Sequence, residues 1–210
     1  MTPQVLQDAG LTTAQVLDIL YGDVDGYGLS TKGRERIQNY GEDFTYGEVT
    51  PEVMWNVMHA VGAQPGEVFY DLGSGTGKGV LFSGLLFDFA KCVGIEYLHE
   101  LNESAKTAHA RYQGYVLPLL PPEKSGQEMN FICGDMREQD ISDADIVFTH
   151  CTCFSPALMD GMRAKLEGLK IGARVITVSR ELGSPHYTYL GMIPVQMAWG
   201  AATAYLYQRM

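Results

Sequence analysis

The chain has 210 residues, of which 46% are apolar, 10% aromatic and 19% charged. These proportions are ordinary for a globular protein, so they exclude a disordered, collagen-like or coiled-coil chain. With 25 acidic and 15 basic side chains the formal net charge is -10. We therefore expect no strong autonomous binding to nucleic acid and no attraction to a membrane surface, whereas basic partners remain compatible.

The N-terminal residues and the cysteines indicate where the protein works. Residues 1–23 contain no lysine or arginine and no apolar run of the signal-peptide type. The most apolar window, residues 80–90, is far shorter than the ~20 residues needed to span a bilayer. The four cysteines lack the paired spacing of a zinc site, which predicts reduced thiols and no metal. We expect an intracellular protein, nuclear or cytoplasmic.

The predicted elements begin with a helical segment. Apolar residues between Val5 and Leu20 recur at helical spacing, and Gly26 and Gly28 then indicate a turn. Thr50 is followed by a proline and an acid, a pattern typical of the start of a helix.

Strands and helices alternate from residue 68 onward. Strands are predicted at Val68–Leu72, Lys91–Ile95, Met129–Cys133, Ile146–Thr149 and Ala173–Val178, and helices at Gly79–Phe89, at Leu98–Tyr115 and from Ser155. The segment 118–127 between them is predicted to be a surface loop. Two last strands, Ile193–Trp199 and Thr203–Tyr207, are joined by small residues without a helix. The order predicts an α/β protein, with five parallel strands and a C-terminal antiparallel hairpin at the sheet edge. This is the plan of the seven-stranded, Rossmann-like class I methyltransferases.

A glycine-rich loop is the strongest motif. Asp71-Leu72-Gly73-Ser74-Gly75-Thr76-Gly77-Lys78 lies between a predicted strand and a predicted helix. Its spacing fits neither a P-loop nor the G-x-G-x-x-G dinucleotide fingerprint. Asp71 would repel a pyrophosphate but attract an ammonium group, so S-adenosylmethionine, with its amino-acid head and sulfonium, suits the loop. A tight strand–helix turn without a ligand is the alternative.

Two further acids follow neighbouring strands. Glu96 ends the second strand, where a carboxylate can bind both hydroxyls of a ribose. Asp135 follows the third strand, where it can accept from an adenine amino group while Met136 packs on the ring. Because parallel strands end at the same edge, we expect Asp71, Glu96 and Asp135 to surround one adenosyl ligand. For Glu96 and Asp135 a solvated charge at a strand end is the alternative.

From about Phe44 to Gln208 the chain resembles the disruptor-of-telomeric-silencing family, the histone H3 core lysine methyltransferases that lack a SET domain. The most specific matching feature is the loop Thr45-Tyr46-Gly47-Glu48. The other matching segments are Asp71–Gly75, Gly94-Ile95-Glu96, Gly134-Asp135, Phe154-Ser155-Pro156 and the tail from Trp199 to Tyr207.

The resemblance implies a protein-lysine methyltransferase that converts S-adenosylmethionine to S-adenosylhomocysteine. The loop would close over the methionine end of the cofactor, which makes Tyr46, Glu48 and Thr50 binding candidates, and Tyr205 would line the lysine channel. We divide the chain into an N-terminal helical segment with this lid loop, residues 1–50, and a class I methyltransferase domain, residues 51–210. The predicted cofactor-binding residues are Tyr46, Glu48, Thr50, Asp71, Gly73, Ser74, Gly75, Gly77, Lys78, Glu96, Asp135, Met136 and His150.

One segment departs from the family. His150 stands where the family has the first asparagine of an Asn-Asn-Phe-x-Phe segment. A neutral imidazole there could take the proton of the lysine amine, or it could merely be hydrogen-bonded in the pocket wall. Tyr46, Phe154, Trp199 and Tyr205 are expected to form a dry aromatic channel that lowers the lysine pKa.

The chain also lacks the basic segments by which family members hold nucleosomal DNA. Its densest basic run, Lys32 to Arg36, is expected to be a solvated face. Either a partner delivers the enzyme to histone H3 in chromatin, or the substrate is a free basic protein that the acidic surface attracts. Methylation of a small molecule and a catalytically silent cofactor-binding module are the alternatives.

Overall fold

The structure is a computed structural model in which residues 3–37 and 46–210 are described. The helices are α1 Gln4–Asp8, α2 Thr13–Tyr21, α3 Gly26–Arg34, α4 Pro51–Ala60, α5 Lys78–Leu86, α6 His99–Arg111 and α7 Pro156–Leu166. The strands are β1 Val68–Leu72, β2 Lys91–Glu96, β3 Glu128–Cys133, β4 Ile146–His150, β5 Arg174–Val178, β6 Tyr187–Met197 and β7 Gly200–Arg209.

The strands form one seven-stranded sheet in the order β3-β2-β1-β4-β5-β7-β6. The first five strands pair in parallel, and β7 pairs antiparallel with both β5 and β6. Because the strand order reverses beside β1, the carboxyl ends of β1, β2 and β4 border a crevice where ligands bind in such sheets. The predicted α/β fold with its terminal hairpin is confirmed.

The hairpin differs from its predicted bounds. Both strands are longer, and they meet at Ala198 and Trp199 instead of at the small residues 200–202. Tyr189 and Leu190 are both exposed, and a register shift at Gly191 interrupts the pairing. An edge strand of this kind lacks the alternation of buried and exposed side chains from which strands are predicted.

The N-terminal helices share the core of the sheet. Leu6, Val16 and Leu20 are buried in the same apolar cluster as Phe69 of β1. The prediction of a turn at Gly26 and Gly28 was wrong, because both glycines lie in α3. The Asp25 side chain caps this helix and accepts from the Gly28 amide at 2.9 Å, so a cap outweighs the weak helix propensity of glycine.

Helix α6 continues into a single π-helical turn, Tyr112–Val116, and then into two short 3-10 turns. The predicted surface loop at 118–127 therefore contains structure, including a buried lysine. The ammonium of Lys124 donates to the carbonyls of Gly84 and Phe87 at the end of α5. No helix among the described residues is long and apolar enough to cross a membrane.

Candidate active site

The glycine-rich loop leaves the end of β1 and begins α5. Gly73, Gly75 and Gly77 all have positive φ, at 83°, 56° and 82°, a conformation that other residues adopt only with strain. The tyrosine ring of Tyr46 covers Gly75, where an added Cβ would lie 2.6 Å from the ring. The loop therefore has no room for a side chain at its tip.

Two buried carboxylates lie beneath this loop. Asp71 is 3% exposed and its Oδ1 has no hydrogen-bond partner among the described residues. Glu96 is 7% exposed and accepts from the amides of Gly75 and Leu98, each at 2.8 Å. Burial, together with the Glu96 carboxylate, raises the pKa of Asp71 to about 8, and burial raises the pKa of Glu96 as well. Neither acid forms a salt bridge within the described part of the chain.

Tyr46 is fixed above the loop by polar contacts. Its hydroxyl donates to Glu48 at 2.8 Å and lies 2.9 Å from the hydroxyl of Thr76. Glu48 in turn accepts from the Lys78 ammonium at 2.6 Å. Burial and the Glu48 carboxylate raise the pKa of Tyr46, so its hydroxyl stays protonated. Lys78 is therefore committed to Glu48 and does not neutralise Asp71.

The N-terminal helices support the far side of this tyrosine. Tyr27 of α3 packs edge-on against the Tyr46 ring, with ring centroids 5.3 Å apart. A Cβ at Gly26 would lie 2.7 Å from the same ring. The Tyr21 hydroxyl donates to the carbonyl of Thr76 at 3.1 Å. Helices α2 and α3 thus help to position the loop that covers the site.

Two cavities meet at the strand ends. The larger, of about 220 Å³, extends over Glu96, Asp135 and Met136 towards α7, and Phe154 also lines it. The smaller, of about 20 Å³, lies between the Tyr46 loop and the glycine loop. The residues that line both cavities are Tyr46, Gly47, Gly73 and His150. His150 is therefore at the junction of the two.

Asp135 lines the larger cavity, as predicted, but its carboxylate already accepts hydrogen bonds from Arg137. The Arg137 side chain and backbone amide both donate to the carboxylate, with Nε 2.9 Å and the amide 2.8 Å from Oδ1. These bonds to Arg137 lower the pKa of Asp135. Part of its capacity to accept from an adenine amino group is thus already used. Arg137 also lines the cavity, and it is not among the predicted site residues.

His150 ends β4 and contacts the turn of the hairpin. Its ring packs on Trp199 with centroids 5.6 Å apart, and Nε2 lies 2.9 Å from the Thr152 hydroxyl. A Cβ at Gly47 would lie 2.8 Å from both the His150 ring and the Trp199 indole nitrogen. Burial lowers the pKa of His150 to about 4, so the imidazole is neutral at physiological pH.

Three predicted site residues lie elsewhere. The Thr50 hydroxyl caps α4, accepting from the Val53 amide, and Thr50 lines neither cavity. Gly77 faces Phe131 and Ala105, so its role is close packing between α5 and its neighbours. Tyr205, on β7, lies opposite Thr177 of β5 and also lines neither cavity. Thr45, at the start of the matching loop, lies outside the described residues.

The residues that remain fit S-adenosylmethionine. An unpartnered Asp71 oxygen suits an ammonium group, the Glu96 carboxylate at the wall of the larger cavity can accept from ribose hydroxyls, and the glycines permit close approach of a ligand. Among the described residues, no group of three or more His, Cys, Asp and Glu side chains could hold a metal ion.

Comparison with known proteins identifies the family. The family model for "Histone methylation protein DOT1" matches residues 32–191. The chain belongs to this family. The H3 lysine-79 specific histone-lysine N-methyltransferase of Eremothecium gossypii is 27% identical over 140 residues, which cover 65% of this chain and 24% of that protein. The protein of the same description from Caenorhabditis elegans is 28% identical over 146 residues, covering 67% and 15%. The chain thus spans a quarter or less of the length of these DOT1 relatives.

Solved structures confirm the fold. An RNA methyltransferase from Salinibacter ruber, in complex with S-adenosyl-L-homocysteine, superposes with a TM-score of 0.59 at 22% identity, covering 77% of this chain and 92% of that one. Magnesium protoporphyrin IX methyltransferase from Synechocystis, with bound SAM, also superposes with a TM-score of 0.59. The identity is 12%, and the match covers 90% of this chain and 100% of that one. This DOT1-family chain therefore has the class I methyltransferase fold.

Proposed function

We propose that the protein is an S-adenosylmethionine-dependent protein-lysine N-methyltransferase. The observation that carries the proposal is the pair of buried carboxylates, Asp71 and Glu96, which have no cationic partner in the described residues and border one crevice. Buried carboxylates without a counter-charge are costly. A ligand with an ammonium head and a sulfonium relieves that cost, whereas a phosphate-bearing nucleotide would increase it.

The residues divide the work along the crevice. Asp71 binds the ammonium head, Glu96 binds the ribose hydroxyls, and Met136 packs on the adenine beside Asp135. Tyr46, held by Glu48 and Thr76, covers the methionine end and excludes water.

Bound S-adenosylmethionine supplies an electrophilic methyl group, and transfer to a neutral amine is an in-line displacement. Positioning and desolvation then provide most of the acceleration. His150 lies at the junction of the cavities with Trp199 packed on its ring, and Phe154 lines the larger cavity, so an amine that enters there is shielded from much of the bulk water. A lysine ammonium, with a reference pKa of ~10.4, loses its proton more readily in such a place.

A basic protein is the proposed methyl acceptor, and histone H3 is the first candidate because the curated DOT1 relatives are H3 lysine-79 specific. The net charge of -10 favours encounter with basic proteins and disfavours autonomous binding to DNA. A protein acting on histones in this way would work in the nucleus, with a partner bringing it to chromatin.

A free basic protein other than a histone is the second candidate. The observation that favours it is His150, which replaces the asparagine of the family beside the junction of the two cavities. A different group at the point of methyl transfer alters how the incoming amine is received.

Calorimetry and a radiolabelled methyl-transfer assay test the proposal together. We expect S-adenosylmethionine to bind, and label to appear on lysine of free H3, of nucleosomes or of a protein in cell extract. Labelling confined to extract would favour the second candidate. Binding without labelling of any protein or small molecule would favour a silent module, and absence of binding would refute the proposal. Asp71→Asn is the matched control, since it keeps the shape of the side chain but removes the charge.

A further inference from the structure

A short hydrogen-bond chain runs behind the His150 ring. The Thr152 hydroxyl lies 2.9 Å from His150 Nε2 and donates to the Ser179 hydroxyl at 2.8 Å. Thr152 follows β4 and Ser179 follows β5, so two neighbouring strand ends supply the chain. Neither residue belongs to the motifs that indicate a methyltransferase.

The backbone at Ser179 is held in an unusual conformation. Its φ is 70°, and among residues 3–37 and 46–210 it is the one non-glycine residue with positive φ. Its amide donates to the Thr203 carbonyl of β7 at 2.8 Å. Such a conformation is strained for a residue with a side chain, and it persists where the surroundings enforce it. The Ser179 hydroxyl is thereby kept within reach of Thr152.

The direction of the bonds fixes the imidazole. Thr152 has one hydroxyl proton, and that proton goes to Ser179. Its oxygen can then meet Nε2 only as an acceptor, so Nε2 carries the ring proton. A neutral imidazole holds one proton, and Nδ1 is left as the acceptor nitrogen. Nδ1 takes no hydrogen bond from any residue in the described ranges.

We propose that Thr152 and Ser179 hold His150 in its Nε2-protonated form. Nδ1 then accepts a hydrogen bond from an N–H of the methyl-accepting amine, and this bond orients the lone pair of the amine towards the sulfonium methyl. This inference rests on the proposed function and names how the amine is received. Thr152 and Ser179 are positioning residues, because they act through His150, which itself lines both cavities.

An acceptor role suits this histidine better than that of a base. Burial keeps its pKa at about 4, so it takes a proton from a lysine ammonium only with a large free-energy cost. The hydrogen bond to a neutral amine needs no such transfer: the N–H bond stays on the amine and the amine lone pair stays free for the methyl group. In the other tautomer Nδ1 would carry the ring proton and would donate a hydrogen bond to the amine lone pair. That lone pair would then be less available to the methyl group.

The test uses the full chain and two readouts. Ring ¹⁵N resonances of His150, assigned by their loss in His150→Asn, distinguish the two neutral tautomers without substrate. Methyl-transfer kinetics give kcat and the KM for S-adenosylmethionine. Thr152→Val removes the hydroxyl at constant shape, Thr152→Ser restores it, and Ser179→Gly removes the second hydroxyl while suiting the positive φ.

We expect the Nε2-protonated form in the unaltered protein and in Thr152→Ser, and a mixture of tautomers in Thr152→Val and Ser179→Gly. In these two variants kcat should fall roughly tenfold with the KM for S-adenosylmethionine unchanged. An Nδ1-protonated ring in the unaltered protein, or an unchanged tautomer and kcat in Thr152→Val, would overturn the inference. Absence of any methyl transfer by the unaltered protein would refute the proposed function, and with it the role of Nδ1, whatever the resonances show.

Discussion

Asp71 makes binding of the proposed cofactor depend on pH. The pKa of its carboxyl is raised to about 8 by burial and by the Glu96 carboxylate, so the free protein holds this proton at pH 6 to 7. An ammonium group placed against Asp71 favours the ionised form. Binding must therefore release a proton, and the affinity must fall as the pH falls below 8.

The size of the effect follows from the pKa. Each unit of pH below about 8 adds about 1.4 kcal/mol to the cost of ionising Asp71, which is tenfold in the dissociation constant. Between pH 7 and pH 6 the affinity for S-adenosylmethionine should fall about ninefold, with about one proton released per ligand bound. Asp71→Asn has no proton to release, so its weaker binding should be independent of pH in this range.

Calorimetry in buffers of different ionisation enthalpy measures the proton release directly. 5′-Methylthioadenosine, which lacks the amino-acid head, is the matched ligand control: it should bind without releasing the Asp71 proton. Equal proton release by Asp71→Asn and the unaltered protein, or a flat pH profile for S-adenosylmethionine, would refute the assignment of Asp71 to the ammonium group.

The same raised pKa governs the stability of the free protein, with a fixed sign. The folded protein binds the Asp71 proton more tightly than the unfolded chain does, so this contribution to stability is lost as the pH rises from about 4 towards about 8. Relative to Asp71→Asn, the unaltered protein should lose on the order of 2 to 3 kcal/mol between pH 5.5 and 7.5. Denaturant titrations at both pH values measure it, and a constant difference between the two proteins would contradict it.

Two further predictions concern packing. Gly75→Ala places a methyl group 2.6 Å from the Tyr46 ring, and by displacing that ring it should weaken S-adenosylmethionine binding at least tenfold in calorimetry. Gly62→Ala is the control for backbone strain, because Gly62 has a similar φ of 66° and open space around it. This control should bind S-adenosylmethionine normally. Lys124→Met removes the side-chain donor to the Gly84 carbonyl and one of two donors to the Phe87 carbonyl, which keeps its bond from Gln127. It should lower the free energy of unfolding by about 1–3 kcal/mol, whereas Lys106→Met, at an exposed ion pair, should change it little. Equal losses would contradict the structural role of Lys124.

The sequence predicted the fold well where burial is complete on both faces. Strands β1 and β2 are short, mostly apolar and almost entirely buried, and their predicted ends agree with the structure to within a residue. The hairpin was less predictable, because an edge strand such as β6 alternates poorly between buried and exposed positions. Helix α3, with three glycines, carries the composition of a turn and is held by its cap and by its packing on α6.

The candidate site was predictable where chemistry is attached to a strand end. Asp71 and Glu96 each lie at the carboxyl end of a buried strand, and the parallel sheet brings them together. Thr152 and Ser179 were missed because their roles depend on contacts that no local pattern encodes. Arg137 was also missed, although a local signal could have found it, since a charge two residues from Asp135 can fold back onto it.

The uncompensated acids at Asp71 and Glu96 also bear on how the protein is handled. Mild acid, near pH 6, both loosens the proposed ligand and protonates the Asp71 carboxylate that the ligand leaves behind. Desalting at that pH should therefore strip carried-over nucleoside from a purified preparation without unfolding it. Returning the emptied protein to pH 8 before adding ligand would expose it to the repulsion that the ligand normally relieves, so reloading is better begun before the pH is raised.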